Sequence, residues 1–158
     1  MAHQQLKEKV IRFLKSDTIA VCGVSAQSEG KEANAIFNKL KDAGHKVIPV
    51  NPKTDRAEGV TCYPSVRDIP EQVEAVMIVT PPSVALSIVK ECYQEGIQNV
   101  WMHRSLGGGS VSQEAVDFGE SKGMNVIGGA CPMMFVEPVD FAHKCIRGIA
   151  GLVGKLPK

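Results

Sequence analysis

The sequence predicts a doubly wound α/β domain of three layers, with a parallel five-stranded sheet between helices and an added C-terminal helix. Three observations predict it. Five short runs are continuously apolar rather than alternating, which is typical of strands buried on both faces. Helical patterns separate these runs, and glycine ends three of the helical patterns shortly before a strand. The connections are short, which favours right-handed crossovers within one sheet.

The first predicted element is an amphipathic helix over Leu6–Lys15. The predicted strands follow at Ile19–Val24, Val47–Val50, Ala75–Thr80, Asn99–His103 and Asn125–Ile127. The glycines that end the intervening helices are Gly44, Gly96 and Gly123. We predict the strand order 3-2-1-4-5, with ligands bound outside the carboxyl ends of the strands, near the reversal of that order.

Between the second and third strands, the sequence predicts little regular structure. Thr54–Gly59 is predicted as a loop, and Ser65–Pro70 as about one helical turn. Further along, Ser110 with Gln113 indicates a capping box that opens the last helix before the fifth strand.

The tail over 138–156 has apolar residues at helical spacing and is predicted to be a helix. Its three glycines, Gly148, Gly151 and Gly154, weaken it by about 1 kcal/mol each relative to alanine. They also permit close packing on the domain body or on a second subunit, so a homo-oligomer is one predicted arrangement. We predict a single domain over 1–158, with its core over 17–135.

Composition excludes several classes of function. The 158 residues carry a net charge of +1 and are 44% hydrophobic and 22% charged, as in ordinary globular domains. This balance gives no electrostatic basis for binding nucleic acid or anionic membrane. The N-terminus lacks the apolar segment of a signal peptide, and no window reaches the ~20 apolar residues of a membrane span. We therefore expect a cytoplasmic protein.

The five cysteines are too scattered to indicate a disulfide framework or a zinc site, so no metal ligands are predicted. We expect them to be small core residues. Cys131 is the exception that the sequence leaves open, because it follows two glycines at the end of the fifth strand, where a ligand thiol or thioester would lie.

The loop after the first strand runs from Gly23 to Lys31 and departs from the G-x-G-x-x-G dinucleotide fingerprint. A helix still begins near Ser28 or Gly30, so a diphosphate would sit on the backbone amides and the Ser25 hydroxyl. A plain tight turn with a serine cap explains the same residues equally well.

The end of the second strand is more informative. A site for NAD carries an acid there to bind the ribose hydroxyls, whereas this chain has Asn51-Pro52-Lys53 and no acid before Asp55. A lysine attracts an additional phosphate on the adenosine ribose. The pattern favours NADP or coenzyme A (CoA) over NAD, with a solvated surface lysine as the alternative.

Two further strand ends carry candidate residues. Thr80-Pro81-Pro82 either lines a nucleotide pocket or simply opens a helix. After the fourth strand, Arg104 is placed to pair with a phosphate, although a flexible glycine-rich connection is the simpler interpretation. No carboxylate in the nearby sequence is placed to orient His103, so it is not predicted to be a base.

Taken together, these motifs resemble the CoA-binding domain family, which is Rossmann-like and related to the N-terminal domain of the succinyl-CoA synthetase α-subunit. The resemblance covers about Asp17 to Phe135. It rests on the Gly-Val-Ser loop, Val50–Lys53, Tyr63 with Asp68-Ile-Pro70, Thr80-Pro-Pro82 and the Cys131-Pro132 turn.

The resemblance implies a role for each segment. Gly23, Val24 and Ser25 would hold the diphosphate, while Asn51 and Lys53 would contact the ribose and its 3′-phosphate. Thr80-Pro81 would line the pocket, and the pantetheine arm would run toward Cys131-Pro132. The full set of candidate coenzyme-binding residues is Gly23, Val24, Ser25, Lys31, Pro49, Asn51, Pro52, Lys53, Thr80, Pro81, Pro82, Arg104, Cys131 and Pro132.

The resemblance does not carry over a reaction. The ligases place a phosphorylated histidine in a second domain that has no counterpart in these 158 residues, and His103-Arg104-Ser105 differs from their Thr-Glu-Gly loop. We expect binding of CoA or an acyl-CoA, without catalysis or together with a partner. The alternatives are an NADP-dependent oxidoreductase, for which no Tyr-x-x-x-Lys pair is present, and an interaction module that assembles through its C-terminal helix.

Overall fold

The computed structural model describes residues 2–27, 31–105, 108–138 and 144. The helices are α1 (Ala2–Leu14), α2 (Lys31–Asp42), α3 (Pro82–Gln94) and α4 (Gln113–Ser121). The strands are β1 (Thr18–Cys22), β2 (Lys46–Val50), β3 (Arg56–Ala57), β4 (Val60–Thr61), β5 (Ala75–Ile78), β6 (Asn99–Met102) and β7 (Asn125–Gly128). The five predicted strands correspond to β1, β2, β5, β6 and β7, with ends that differ by at most two residues.

The predicted three-layer architecture is confirmed. The five long strands form one parallel sheet in the order β2-β1-β5-β6-β7. Successive side chains of a strand point to opposite faces, and both faces are covered here. α1 and α2 bury Phe13 and Phe37 against one face, whereas α3 and α4 bury Val89 and Ala115 against the other. This double burial explains why the strands are continuously apolar.

The predicted strand order 3-2-1-4-5 is wrong. The third long strand, β5, pairs with β1 rather than lying beyond β2, so β2 is the edge of the sheet. Pro49 lies inside β2 opposite Val21, and its carbonyl accepts a hydrogen bond from the Tyr63 N–H on the side away from β1. Proline donates no hydrogen bond to a ladder, which suits an edge strand. The order therefore reverses between β1 and β5.

Two local predictions are also corrected. The segment predicted as a loop, Thr54–Gly59, contains β3 and the turn of a hairpin, and β3 pairs antiparallel with β4, which follows that segment. The predicted cap Ser110 is buried, and its N–H donates to the His103 carbonyl oxygen. Ser112 caps α4 instead, accepting from the Ala115 N–H at 3.4 Å. Ser110 lies inside because Gly109 bridges back, antiparallel, to Arg104 just after β6.

Two further predicted elements remain, the helical turn near Ser65 and the helix at the end of the chain. The helical turn near Ser65 is confirmed as a short 3-10 turn over Val66–Asp68. The helix predicted over 138–156 lies outside the described residues apart from 138 and 144. Within the described part of the chain, no helix is long and apolar enough to cross a lipid bilayer.

Candidate functional site

A cleft of about 520 Å³ opens at the carboxyl edge of the sheet, where β2, β1 and β5 lie side by side. It brings together part of the candidate set: Gly23, Asn51, Pro52, Lys53, Thr80 and Pro81. Its apolar walls are Val50, Val66, Val79, Val84 and Ile88. An apolar cleft with a few polar groups at a reversal of strand order is the usual form of a nucleotide site in this class of fold. We refer to it as the main cleft.

Gly23 makes the sharp turn between β1 and the following loop. Its φ is +103°, and its N–H donates to the Val50 carbonyl oxygen at 2.8 Å. A Cβ at this position would lie 2.2 Å from the Val79 carbonyl oxygen, which no real side chain permits. The turn therefore requires glycine, because its backbone passes directly against the Val79 carbonyl group that follows β5.

Asn51 links the loops that follow β1 and β2. Its amide nitrogen Nδ2 donates to the Val24 carbonyl oxygen at 3.0 Å, and its Oδ1 accepts from the Lys53 N–H at 2.9 Å. The side-chain amide of Asn51, which we predicted to contact the ribose, thus already holds the loops after β1 and β2. The same bonds fix the backbone from which the exposed Lys53 side chain extends.

Lys53 lies on the rim of the main cleft. In the portion of the chain that the structure describes, no carboxylate lies within 4.0 Å of its ammonium group. A cation on the rim of an apolar cleft, without an ion-pair partner, is available to an anionic ligand.

Asn34 of α2 holds the loop after β1. Its Oδ1 accepts from the Ser25 N–H at 3.0 Å, and its Nδ2 donates to the Ser25 carbonyl oxygen at 2.9 Å. The Gln27 N–H donates to Ser25 Oγ at 3.2 Å. The backbone amide of Ser25 is thus already paired, and a diphosphate at this loop would meet the Ser25 hydroxyl hydrogen and other amides.

Several candidates lie away from the main cleft. Val24 is fully buried on the α2 face of the sheet, and Pro49 is buried inside β2. Arg104 is exposed beyond β6, and Cys131 is buried after β7. The other candidates outside the cleft lining are Ser25, Pro82 and Pro132, and the side chain of Lys31 lies outside the described part of the structure. The main cleft thus holds six of the candidates, and Arg104, Cys131 and Pro132 lie beyond the ends of β6 and β7.

A second polar group of residues lies just after β6 and at the start of α2, on the face of the sheet that α2 covers. His103 is buried with 1% of its surface exposed, and its Nδ1 has no hydrogen-bond partner. Glu32 Oε2 lies 3.9 Å from that atom, and Ser105 Oγ lies 3.5 Å from Glu32 Oε1. We call these three residues the His103 cluster. Glu32 supplies the carboxylate that the sequence did not reveal beside His103, because it comes from α2.

Burial shifts the pKa values of both His103 and Cys131. It lowers the pKa of His103 below its ordinary value, and Glu32 opposes that shift only in part, so the imidazole is neutral at pH 7. Burial also raises the pKa of the Cys131 thiol, and Glu32 adds to that shift, while a backbone hydrogen bond at Met133 opposes it. A thiol with a raised pKa is a poor nucleophile at neutral pH.

The four described cysteines, Cys22, Cys62, Cys92 and Cys131, are free and buried. This confirms the prediction that they are small core residues, and Cys145 lies outside the described residues.

Sequence reasoning missed the contribution of α3 to the main cleft. Ser87, Ile88 and Glu91 line it, about one and a half to two and a half helical turns after the predicted Pro81-Pro82 entry. Glu91 Oε1 accepts from the Arg67 N–H at 2.8 Å, which fixes the carboxylate at the wall. The helical spacing of these residues from Val84 was a usable signal, because positions three, four and seven apart share a face.

The comparisons with known proteins identify the family of this domain. A family model described as CoA binding domain matches residues 17–137. Acetate–CoA ligase (ADP-forming) I of Archaeoglobus fulgidus is 32% identical over 126 residues, covering 76% of this chain but 18% of the ligase. The chain thus spans less than a fifth of that curated relative's length.

Two further proteins match most of their own length. The uncharacterized protein YneT of Bacillus subtilis is 27% identical over 117 residues, covering 74% of this chain and 83% of that protein. The structure of a hypothetical protein from Pyrococcus horikoshii OT3 superposes with a TM-score of 0.70 at 28% identity, covering 83% of this chain and 87% of its own. The resemblance noted from the sequence is confirmed: the chain belongs to the CoA binding domain family.

Proposed function

We propose that this domain binds CoA or an acyl-CoA, with the adenosine in the main cleft and the ribose 3′-phosphate on Lys53. The observation that carries the proposal is the rim lysine, which has no ion-pair partner among the described residues and stands where an NAD site has an acid. The adenine ring fits the apolar walls formed by β2, β5 and α3. Family membership favours CoA over NADP, whose 2′-phosphate would use the same lysine.

We further propose that the domain acts by binding, either as a carrier or sensor of the coenzyme or together with a partner protein. The ligases that it resembles are several times longer than the matched region, so we do not extend the ligase reaction to this domain. Burial raises the pKa of the Cys131 thiol, which makes it a poor nucleophile at neutral pH, and it lowers the pKa of His103.

Calorimetric titration with CoA, dephospho-CoA and NADP tests the proposal. A charge-assisted hydrogen bond contributes about 1.5–3 kcal/mol, so we expect CoA to bind roughly 10- to 100-fold more tightly than dephospho-CoA. Lys53→Glu should abolish that preference, while Lys7→Glu, on the exposed surface of α1, should preserve it. Equal affinities for CoA and dephospho-CoA, or tighter binding of NADP, would contradict the proposal.

A further inference from the structure

The main cleft contains a carboxylate as well as the rim lysine. Among the described residues that line it, Glu91 is the one acidic side chain and Lys53 the one basic side chain. Glu91 lies in the third turn of α3, and 18% of its side chain is exposed. Acidic side chains are seldom buried to this extent unless they are paired, so the partners of its two oxygens decide what it can do.

One oxygen of this carboxylate is held by the protein, and the other is free. Glu91 Oε1 accepts from the Arg67 N–H at 2.8 Å, and the Arg67 guanidinium Nε lies 3.9 Å from the same oxygen. Glu91 Oε2 has no hydrogen-bond partner among the described residues. Burial, and then the charge of Glu91, raise the pKa of the Cys22 thiol, so the carboxylate acts on the end of β1, which also lines the cleft.

A fixed carboxylate in an apolar cleft selects a hydrogen-bond donor. It repels a phosphate, and it binds an N–H group more strongly than a neutral acceptor does. The adenine base of the proposed ligand carries one such donor, the exocyclic N6 amino group, while its free ring nitrogens accept. Glu91 and Lys53 therefore attract different parts of the adenosine 3′-phosphate. The amino edge of the base suits the carboxylate, and the phosphate suits the lysine.

We propose that Glu91 determines the base specificity of the main cleft, by accepting a hydrogen bond from the N6 amino group of adenine through Oε2. This inference rests on the proposed binding of CoA, and it adds which base the cleft selects and which edge of the base meets α3. The Arg67 N–H is the positioning group, because it holds the other oxygen of the carboxylate. Base and phosphate are bound by different residues, so they can be tested separately.

The test compares 3′,5′-ADP with 3′,5′-IDP, in which a carbonyl oxygen replaces the amino group. In the wild-type protein this oxygen faces a carboxylate, so we expect the inosine nucleotide to bind about 10- to 100-fold more weakly in calorimetric titration. Glu91→Gln keeps an oxygen for the Arg67 N–H and offers an amide N–H to the carbonyl oxygen. We expect this variant to reduce the preference for adenine by about tenfold or more.

The ratio of the two affinities separates base recognition from a general charge effect. Loss of a negative charge from the cleft strengthens the binding of both nucleotides alike and leaves their ratio unchanged. Glu95→Gln is the matched control, because Glu95 is exposed at the end of α3 and does not line the cleft. It should keep the wild-type ratio. Glu91→Gln should also keep the preference for CoA over dephospho-CoA, which depends on Lys53.

A second measurement needs no substitution. When 3′,5′-ADP labelled with ¹⁵N at the amino group binds the wild-type protein, NMR should show one amino proton shifted downfield by its bond to the carboxylate. An amino proton that keeps its free position would overturn the inference. So would equal wild-type affinities for the two nucleotides, or the same adenine preference in Glu91→Gln. Failure of the wild-type protein to bind CoA and 3′,5′-ADP would instead overturn the proposed function, and the inference with it.

Discussion

At the scale of single residues, Gly23 determines how close the loop after β1 comes to β5. The loop passes so near β5 that even a methyl group would overlap the Val79 carbonyl oxygen, at 2.2 Å. Lys53 and Asn51 depend on this turn, because the Asn51 side chain bonds to the residue that follows Gly23. A small change at Gly23 should therefore disturb both stability and binding.

We expect Gly23→Ala to lower the free energy of unfolding by roughly 3 kcal/mol, because it combines an unfavourable positive φ with overlap on backbone atoms. Chemical denaturation followed by circular dichroism measures the change. Gly96→Ala is the matched control, since Gly96 also has a positive φ, +75°, but has open space around its Cβ position. The control should lower the free energy of unfolding by about 1 kcal/mol. If the two substitutions lower it equally, the overlap with Val79 at position 23 must be relieved in the folded variant.

At the scale of elements, the β3–β4 hairpin supports the loop after β1 from a distance. Its two turn residues, Glu58 and Gly59, have φ values of +50° and +78°, as a two-residue type I′ turn requires. The Glu58 carboxylate accepts from Asn34 Nδ2 at 2.5 Å and from Asn38 Nδ2 at 3.1 Å. Because Asn34 also bonds both backbone groups of Ser25, the hairpin fixes the orientation of the Asn34 amide and thereby the loop.

Glu58→Ala should therefore weaken CoA binding by about three- to tenfold, through a loop that is less well held rather than through a lost ligand contact. Titration calorimetry gives the affinity, and Asn38→Ala serves as the control because it removes a Glu58 bond without touching the Ser25 link. If Glu58→Ala leaves the affinity for CoA unchanged, or if both variants lose the same affinity, Glu58 does not support binding through Asn34 and the loop after β1.

At the scale of the whole molecule, ligand binding at the carboxyl edge should stabilise the domain, because that edge joins the loops of several strands. A ligand present at 100 times its Kd adds about 2.7 kcal/mol to the free energy of unfolding. For a chain of this size, that amounts to a rise in Tm of roughly 5–10 °C.

Differential scanning calorimetry with CoA checks this expectation. At the same CoA concentration, Lys53→Glu should show a much smaller rise in Tm than Lys7→Glu. A Tm that does not respond to CoA at saturating concentration would be inconsistent with binding to the folded state alone.

Some features of the site depend on contacts between distant parts of the chain. Glu32 reaches His103, and Glu58 reaches Asn34, across many intervening residues. Ser112 rather than Ser110 caps α4, because the fold buries Ser110 against the loop that leaves β6. Such pairings have no signature in local spacing, so the sequence left them open.

The sequence by itself determined the three-layer class, the positions of the five long strands and the family, because burial on both faces and the turn residues leave local patterns. It also carried an unused signal for the strand order: Pro49 inside β2 favours an edge strand. Only the tertiary structure decided which candidates meet in the main cleft and that Glu32 lies beside His103. Those outcomes follow from strand pairing and helix packing, which join residues far apart in sequence.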